Sequence, residues 1–283
     1  LDALLRLAFA APTPIGLSLH VRPSRFTAMG VSWAFGFYLD ADFDRYPILL
    51  WTMAGAALVS VLCHLAVPSE PLRATANKRH HFLESVRLSK QDRVFVQLLA
   101  ASMVLGMGVL SANALRVDYL ANPQHGLGYD VKTVSLITGI IPSLVRLIST
   151  FFWGWLFDHM NFFRLRIIVN LVFLVGLVLY FLWPDMRLIV IGSALFGLAR
   201  GGGEILFNLF VTKIAPSELI ADYMSVHTFL AGIRILAAPF LGFLLAQYVS
   251  ISVMTAVSAS LMLLSIFVVG KASRASFSKG TIS

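Results

Sequence analysis

Apolar runs of helix length dominate this chain, and they leave few folds open to it. A helix crosses the hydrocarbon core of a bilayer with roughly 20 apolar residues. Nine segments meet or approach that requirement: 3–19, 26–40, 47–67, 94–121, 132–157, 165–183, 187–212, 221–248 and 251–270. The first is broken by Pro12 and Pro14, and the second ends in Asp40, Asp42 and Asp44. The predicted class is therefore an all-α polytopic membrane protein. Composition agrees: 58% of residues are hydrophobic, 13% are charged, and the mean hydropathy is +0.82. Water-soluble domains run about 45–50% apolar and about 25% charged, so a soluble enzyme, a disordered chain and a disulfide scaffold are all excluded. Cys63 is the single cysteine and has no partner in the chain for a disulfide.

The net charge of +8 is informative through its location. With nine spans, fourteen Lys and Arg fall in connections on one side, and only Arg45, Lys132 and Arg187 on the other. The positive-inside rule makes the first side cytoplasmic and places the C-terminus there. The basic character thus reports topology, and no nucleic-acid partner is expected. The longest connection, 69–93, follows three spans and precedes six. The predicted organisation is a partial N-terminal bundle over 1–68, a cytoplasmic linker over 69–93, and a six-helix bundle over 94–283. The expected whole has twelve helices, of which the chain holds helices 4–12. The competing count is eight spans, with residues 1–25 lying at the interface. A faint repeat supports the six-plus-six scheme: Pro23-Ser24 with Met29 and Val31 recurs as Pro216-Ser217 with Met224 and Val226.

Ionisable residues deep in a bilayer are costly and face an interior or a water-filled cavity. Here Arg146, Arg200 and Arg234 fall near the middles of their spans, Glu204 one turn from Arg200 and His227 two turns from Arg234. Arg116 and Asp118 fall near the end of theirs and read as an outer gate or a surface pair. Segments 165–183 and 251–270 carry no charge in their cores, segment 47–67 has only His64 near its end, and all three are expected at the lipid-facing rim. Two readings of the central charges stand. One is an anion site, with arginine forks on carboxylate or phosphate. The other is a structural network in which Arg200 and Arg234 share Glu204 and Arg146 bonds helix carbonyls.

Gly201-Gly202-Gly203 either unwinds its helix at a binding site or lets helices approach closely. No Lys-Ser/Thr follows it, so it is not a phosphate loop. Pro142 and Pro239 are expected to kink their spans. Phe82, Leu83, Val86 and Val94 among basic residues fit either an amphipathic helix on the inner leaflet or a solvated linker. No metal-ligand cluster, nucleophile elbow or Walker motif is present in the sequence. No enzyme, cofactor or metal site is expected.

Gly154-Trp155-Leu156-Phe157-Asp158-His159, followed by Arg164 and Arg166, resembles the cytoplasmic loop between helices 8 and 9 of the major facilitator superfamily. His159 stands where that family usually has Arg. Gly232-Ile233-Arg234 with Ala238-Pro239, and Arg22–Arg25 before the second segment, are similar to family members as well. The resemblance implies two six-helix bundles, alternating access and a central site. It also implies a cytoplasmic gate formed by Gly154, Asp158, Arg164 and Arg166. The expected function is secondary active transport of a small organic solute, an anion held by Arg146, Arg200, Arg234 and Glu204. Glu204, His227 and Asp118 are the proton-coupling candidates. The alternatives are a multidrug/proton antiporter and a non-transporting sensor or assembly protein on the same scaffold. The expected partners are the solute and the lipid bilayer. The expected state is a monomer in a plasma or bacterial inner membrane.

Overall fold

A computed structural model describes residues 46–65, 82–125 and 127–278, with a few isolated positions between 30 and 39. Among the described residues the regular structure is helical. The helices are α1 (Tyr46–Leu65), α2 (Phe82–Gln91), α3 (Arg93–Ala121), α4 (Val131–Ser135), α5 (Ile141–His159), α6 (Phe162–Phe181), α7 (Met186–Ile214), α8 (Ile220–Ala246) and α9 (Ile251–Ser278). A π-helical segment, Leu136–Ile140, joins α4 to α5. Seven stretches are long and apolar enough to cross a membrane: α1, α3, α4 through α5, α6, α7, α8 and α9. They coincide, within a few residues, with seven of the nine predicted segments. Segment 3–19 lies outside the described residues, as does most of 26–40 and the first copy of the Pro-Ser repeat.

Asp or Asn caps set the starts of four helices. Asp92 accepts from the backbone of Val94 and Phe95 ahead of α3, and Asp130 from Thr133 at α4. Asn161 and Asp185 do the same for α6 and α7. Each cap satisfies backbone N–H groups that a helix start leaves open.

The spans adjoin in the order α8, α3, α9, α6, α7, α5. Glycines set how closely they pack. A Cβ on Gly197 would strike the backbone of Pro142, so α5 and α7 touch main chain to main chain there. One turn on, a Cβ on Gly202 would meet the Trp153 ring at 2.8 Å and Val169 at 2.7 Å. The glycine run therefore serves helix packing, and α7 continues through it unbroken.

Pro142 acts through the π-helical segment ahead of it. The amide of Ile141 bonds Leu136 O, one residue wider than an α-helix. The next carbonyl in that pattern, Ile137 O, would pair with residue 142, a proline with no N–H. Ser193 Oγ of α7 donates to that carbonyl instead, and Arg116 Nη2 of α3 donates to it at 3.4 Å. A proline in one helix is thus stabilised by side chains from two others.

Two expectations are corrected. α6 was expected at a charge-free rim, but it packs between α7 and α9 and half of its apolar window is buried. Its small and polar positions, Gly176 and Asn170, allow close neighbours on both sides. Among the spans from α3 to α9, α8 is the least covered: 17% of its window is buried, and Leu236 and Phe240 are 81% and 70% exposed. The amphipathic helix α2 does form, but it belongs to the bundle. Ser85 and Ser89 are buried, Ser85 Oγ donates to Asp222 Oδ1 of α8 at 2.5 Å, and Phe82 packs edge-on against Phe229 at 4.9 Å. Helix α1 is apolar and exposes nearly all its side chains, as a lipid-facing or partner-facing helix does.

Candidate functional site: an arginine-lined cavity

Five spans enclose a cavity of about 400 Å³. Its charged lining comprises Arg146 from α5, Arg166 from α6, Arg200 and Glu204 from α7, and Arg234 from α8; Ser102 of α3 and Asn170 of α6 add polar groups. Four guanidinium groups face one carboxylate, a formal excess of three positive charges (4 − 1). The three mid-span arginines anticipated as a site do meet in one place.

Their pairing differs from the expected one. Glu204 was expected to pair with Arg200 along one helix face. Instead Arg146 reaches across from α5, donating to Glu204 Oε2 from Nη2 at 2.7 Å and from Nε at 3.2 Å. The four-residue spacing puts Arg200 and Glu204 near each other, but both line the cavity, and the α5–α7 seam brings Arg146 closer. Arg200 makes no hydrogen bond or ion pair among the described residues, although it lines the cavity. Its guanidinium is available to a ligand.

Arg166 and Arg234 are pinned at a single residue. Arg166 Nη2 donates to Ser102 Oγ at 2.9 Å, and Arg234 Nη1 donates to Ser102 O at 2.6 Å. Gly106 makes room for Arg234, since a Cβ there would collide with the guanidinium. Phe207 of α7 lies 6.0 Å from Arg234 Cζ. Among the described residues no carboxylate bonds this pair.

Several expected roles move. Arg166 was grouped with the loop motif as a gate residue; it lies one turn inside α6, is buried, and lines the cavity. Asp158 and Arg164 are exposed, and Gly154 is buried in α5. Asp158 instead shares a separate 230 Å³ pocket with His159, Asn161 and Lys213. Arg116 was expected at a surface or gate, but it is 3% exposed and committed to Ser193 Oγ at 2.7 Å and to Ile137 O. Asp118 is outside the cavity and accepts from Asn122 Nδ2 at 3.4 Å. His227 is buried against the rings of Phe207 and Phe210, with centroids at 4.4 and 4.6 Å, and is absent from the cavity lining. That leaves Glu204 as the one proton-coupling candidate whose side chain lines the cavity.

The sequence pattern of the Major Facilitator Superfamily matches residues 25–239. The chain belongs to the Major Facilitator Superfamily. No individual curated protein matches it. Membership of this superfamily, with seven membrane-capable helices, makes it a multi-pass integral membrane protein of a transporter family. The superfamily match runs through the 69–93 connection and ends at Pro239, inside α8 and past all five charged residues of the cavity.

Two cavity residues of this superfamily member were missed from sequence alone. Ser102 is one of many small residues in α3 and gives no signal by itself. Asn170 gave one that was available: it is the single side-chain amide in the apolar run 165–183. An amide surrounded by hydrocarbon residues needs a partner.

Proposed function

We propose that this protein is a secondary active transporter of a small organic anion, that the arginine-lined cavity is its substrate site, and that it works by alternating access. The supporting observation is the charge imbalance of that cavity. Arg146 is neutralised by Glu204, whereas Arg166, Arg200 and Arg234 have no bonded carboxylate among the described residues. Burying uncompensated charge away from water costs several kcal/mol per ion, on the order of magnitude set by desolvation. A bound anion supplies the missing counter-charge and gains charge-assisted hydrogen bonds, each about 1.5–3 kcal/mol. The cavity volume lies within the roughly 300–1,000 Å³ range of small-molecule sites.

In this reading Arg200 makes first contact with the anion, and Arg166 and Arg234 hold its far side. Glu204 carries the coupled proton, since protonation would release Arg146 to the substrate. Asp158, with Arg164 and Lys213 nearby in the fold or sequence, serves the end of the bundle that the positive-inside rule assigns to the cytoplasm. The C-terminus lies on that same side. The protein acts as a monomer in a plasma or bacterial inner membrane and needs no nucleic acid.

The test compares succinate with succinamide, which match in size and differ in charge, by thermal unfolding of the purified protein in nanodiscs. Succinate is expected to raise the Tm and succinamide to leave it unchanged. Arg200→Ala should abolish the succinate shift. Equal shifts from both compounds, or an unchanged shift in Arg200→Ala, would overturn the anion reading.

A further inference from the structure

The orientation of the Asn170 amide is set by its neighbours. Ser265 Oγ donates its only hydrogen to Ala101 O at 2.8 Å. It can therefore only accept from Asn170, and it does so from Nδ2 at 3.2 Å. Turning the amide over would set two acceptors against each other. The carboxamide oxygen is thus the group left over, and Oδ1 has no donor among the described residues. Asn170 is 0% exposed and stands in the wall of the cavity. A buried acceptor without a partner costs as much as a lost hydrogen bond. The cavity that Asn170 helps to line is where a partner for that oxygen can be placed.

The rest of the lining narrows what that partner can be. The arginines are donors only, and the carboxylate of Glu204 is held by Arg146. A substrate with negative groups alone would satisfy the guanidinium groups and leave Asn170 unmatched. An ammonium donor would add positive charge to a cavity already three charges in excess. A hydroxyl donates without charge. Resting on the anion reading above, we propose that Asn170 Oδ1 accepts a hydrogen bond from a hydroxyl of the transported anion, so that the substrate class is hydroxy acids.

Malate and succinate carry the same two carboxylates and differ by one hydroxyl. Isothermal titration of the protein in nanodiscs with succinate and with each enantiomer of malate measures what that hydroxyl adds. One malate enantiomer should bind about 5–10-fold more tightly than succinate, the usual worth of one well-placed hydrogen bond. Asn170→Leu should bind malate and succinate alike, at the succinate affinity of the unaltered protein, which also shows that the variant is folded. Should Asn170→Leu bind neither probe, Ser265→Ala takes its place: it frees the amide to turn, and the malate preference must fall several-fold. Equal binding of malate and succinate to the unaltered protein overturns the hydroxyl assignment while leaving the anion site intact. A preference that survives Asn170→Leu or Ser265→Ala overturns it too. Binding of neither probe to the unaltered protein removes the anion reading, and this inference with it.

Discussion

Arg116 and Arg200 are both arginines in apolar helices, both without a bonded carboxylate among the described residues, and the fold uses them in opposite ways. Arg116 is closed in. Its Nη2 is spent on Ser193 and on the carbonyl that Pro142 leaves open, and its guanidinium lies over Tyr180 and Phe196 at 4.7 and 4.8 Å. Arg200 lines an open cavity and makes no hydrogen bond or ion pair among the described residues. A charge inside a membrane span is therefore not a site by itself. What separates scaffold from site is access: Arg116 is 3% exposed and outside the cavity lining, whereas Arg200 is part of that lining.

The contrast can be broken most severely at the seam that builds the closed region. Gly197→Val places a branched side chain against the Pro142 backbone, which cannot yield as a flexible side chain would. The variant is expected to lose its folded, monodisperse fraction on size exclusion, while a Gly203→Ala control, whose nearest new contact is an ordinary 3.4 Å, stays folded. Next comes Arg116→Leu. Loss of hydrogen bonds from a charged donor should cost about 1.5–3 kcal/mol of stability, read as a lower Tm, with the succinate-induced shift retained. Arg200→Leu should show the reverse pattern, with Tm kept and the shift lost. If both variants lose the same property, the division between scaffold and site is wrong.

Glu204→Gln sharpens the cavity side of the comparison. It frees Arg146 and is expected to leave anion binding in place or strengthen it several-fold, while abolishing any response of uptake to the proton gradient. Proton-driven uptake that persists in Glu204→Gln would exclude Glu204 from coupling. The smallest effect lies outside the membrane, at the cap of α4. The hydrogen bond from Thr133 holds the Asp130 carboxyl below the usual carboxylate range. A lowered pKa stabilises the fold above the ordinary carboxylate value, and that contribution is lost as pH falls through the lowered one. Amide exchange over Val131–Ser135 should therefore quicken only in strong acid. In Asp130→Asn, which keeps an acceptor oxygen, exchange should stay flat across the same range.

The spans were legible because a bilayer imposes one length and one polarity on every helix that crosses it. The mid-span arginines were legible for the same reason, since Arg146, Arg200 and Arg234 stand out against hydrocarbon. Pairing was not. The four-residue step from Arg200 to Glu204 is visible in sequence, whereas the Arg146–Glu204 bond joins residues 58 apart and depends on how α5 lies on α7. Arg166 was misread because a basic residue close to a loop motif looks like part of the loop, although one helical turn is enough to carry it inside. Arg116 was misread as part of an outer gate or surface pair because its near-terminal position hides a need created elsewhere, at Pro142.

The surplus charge of the cavity also has an electrical consequence. In an alternating-access cycle the membrane potential falls mainly across whichever side is closed. When access switches, that drop moves to the other side of the cavity, and the fixed charges cross it without being displaced. Each full elementary charge crossing 100 mV is worth about 2.3 kcal/mol. An empty cavity with three surplus positive charges would feel that field strongly, and one holding a dianion would feel about a third as much. The voltage would then act chiefly on the return of the empty carrier, and the resting potential of the membrane would set the pace of the cycle.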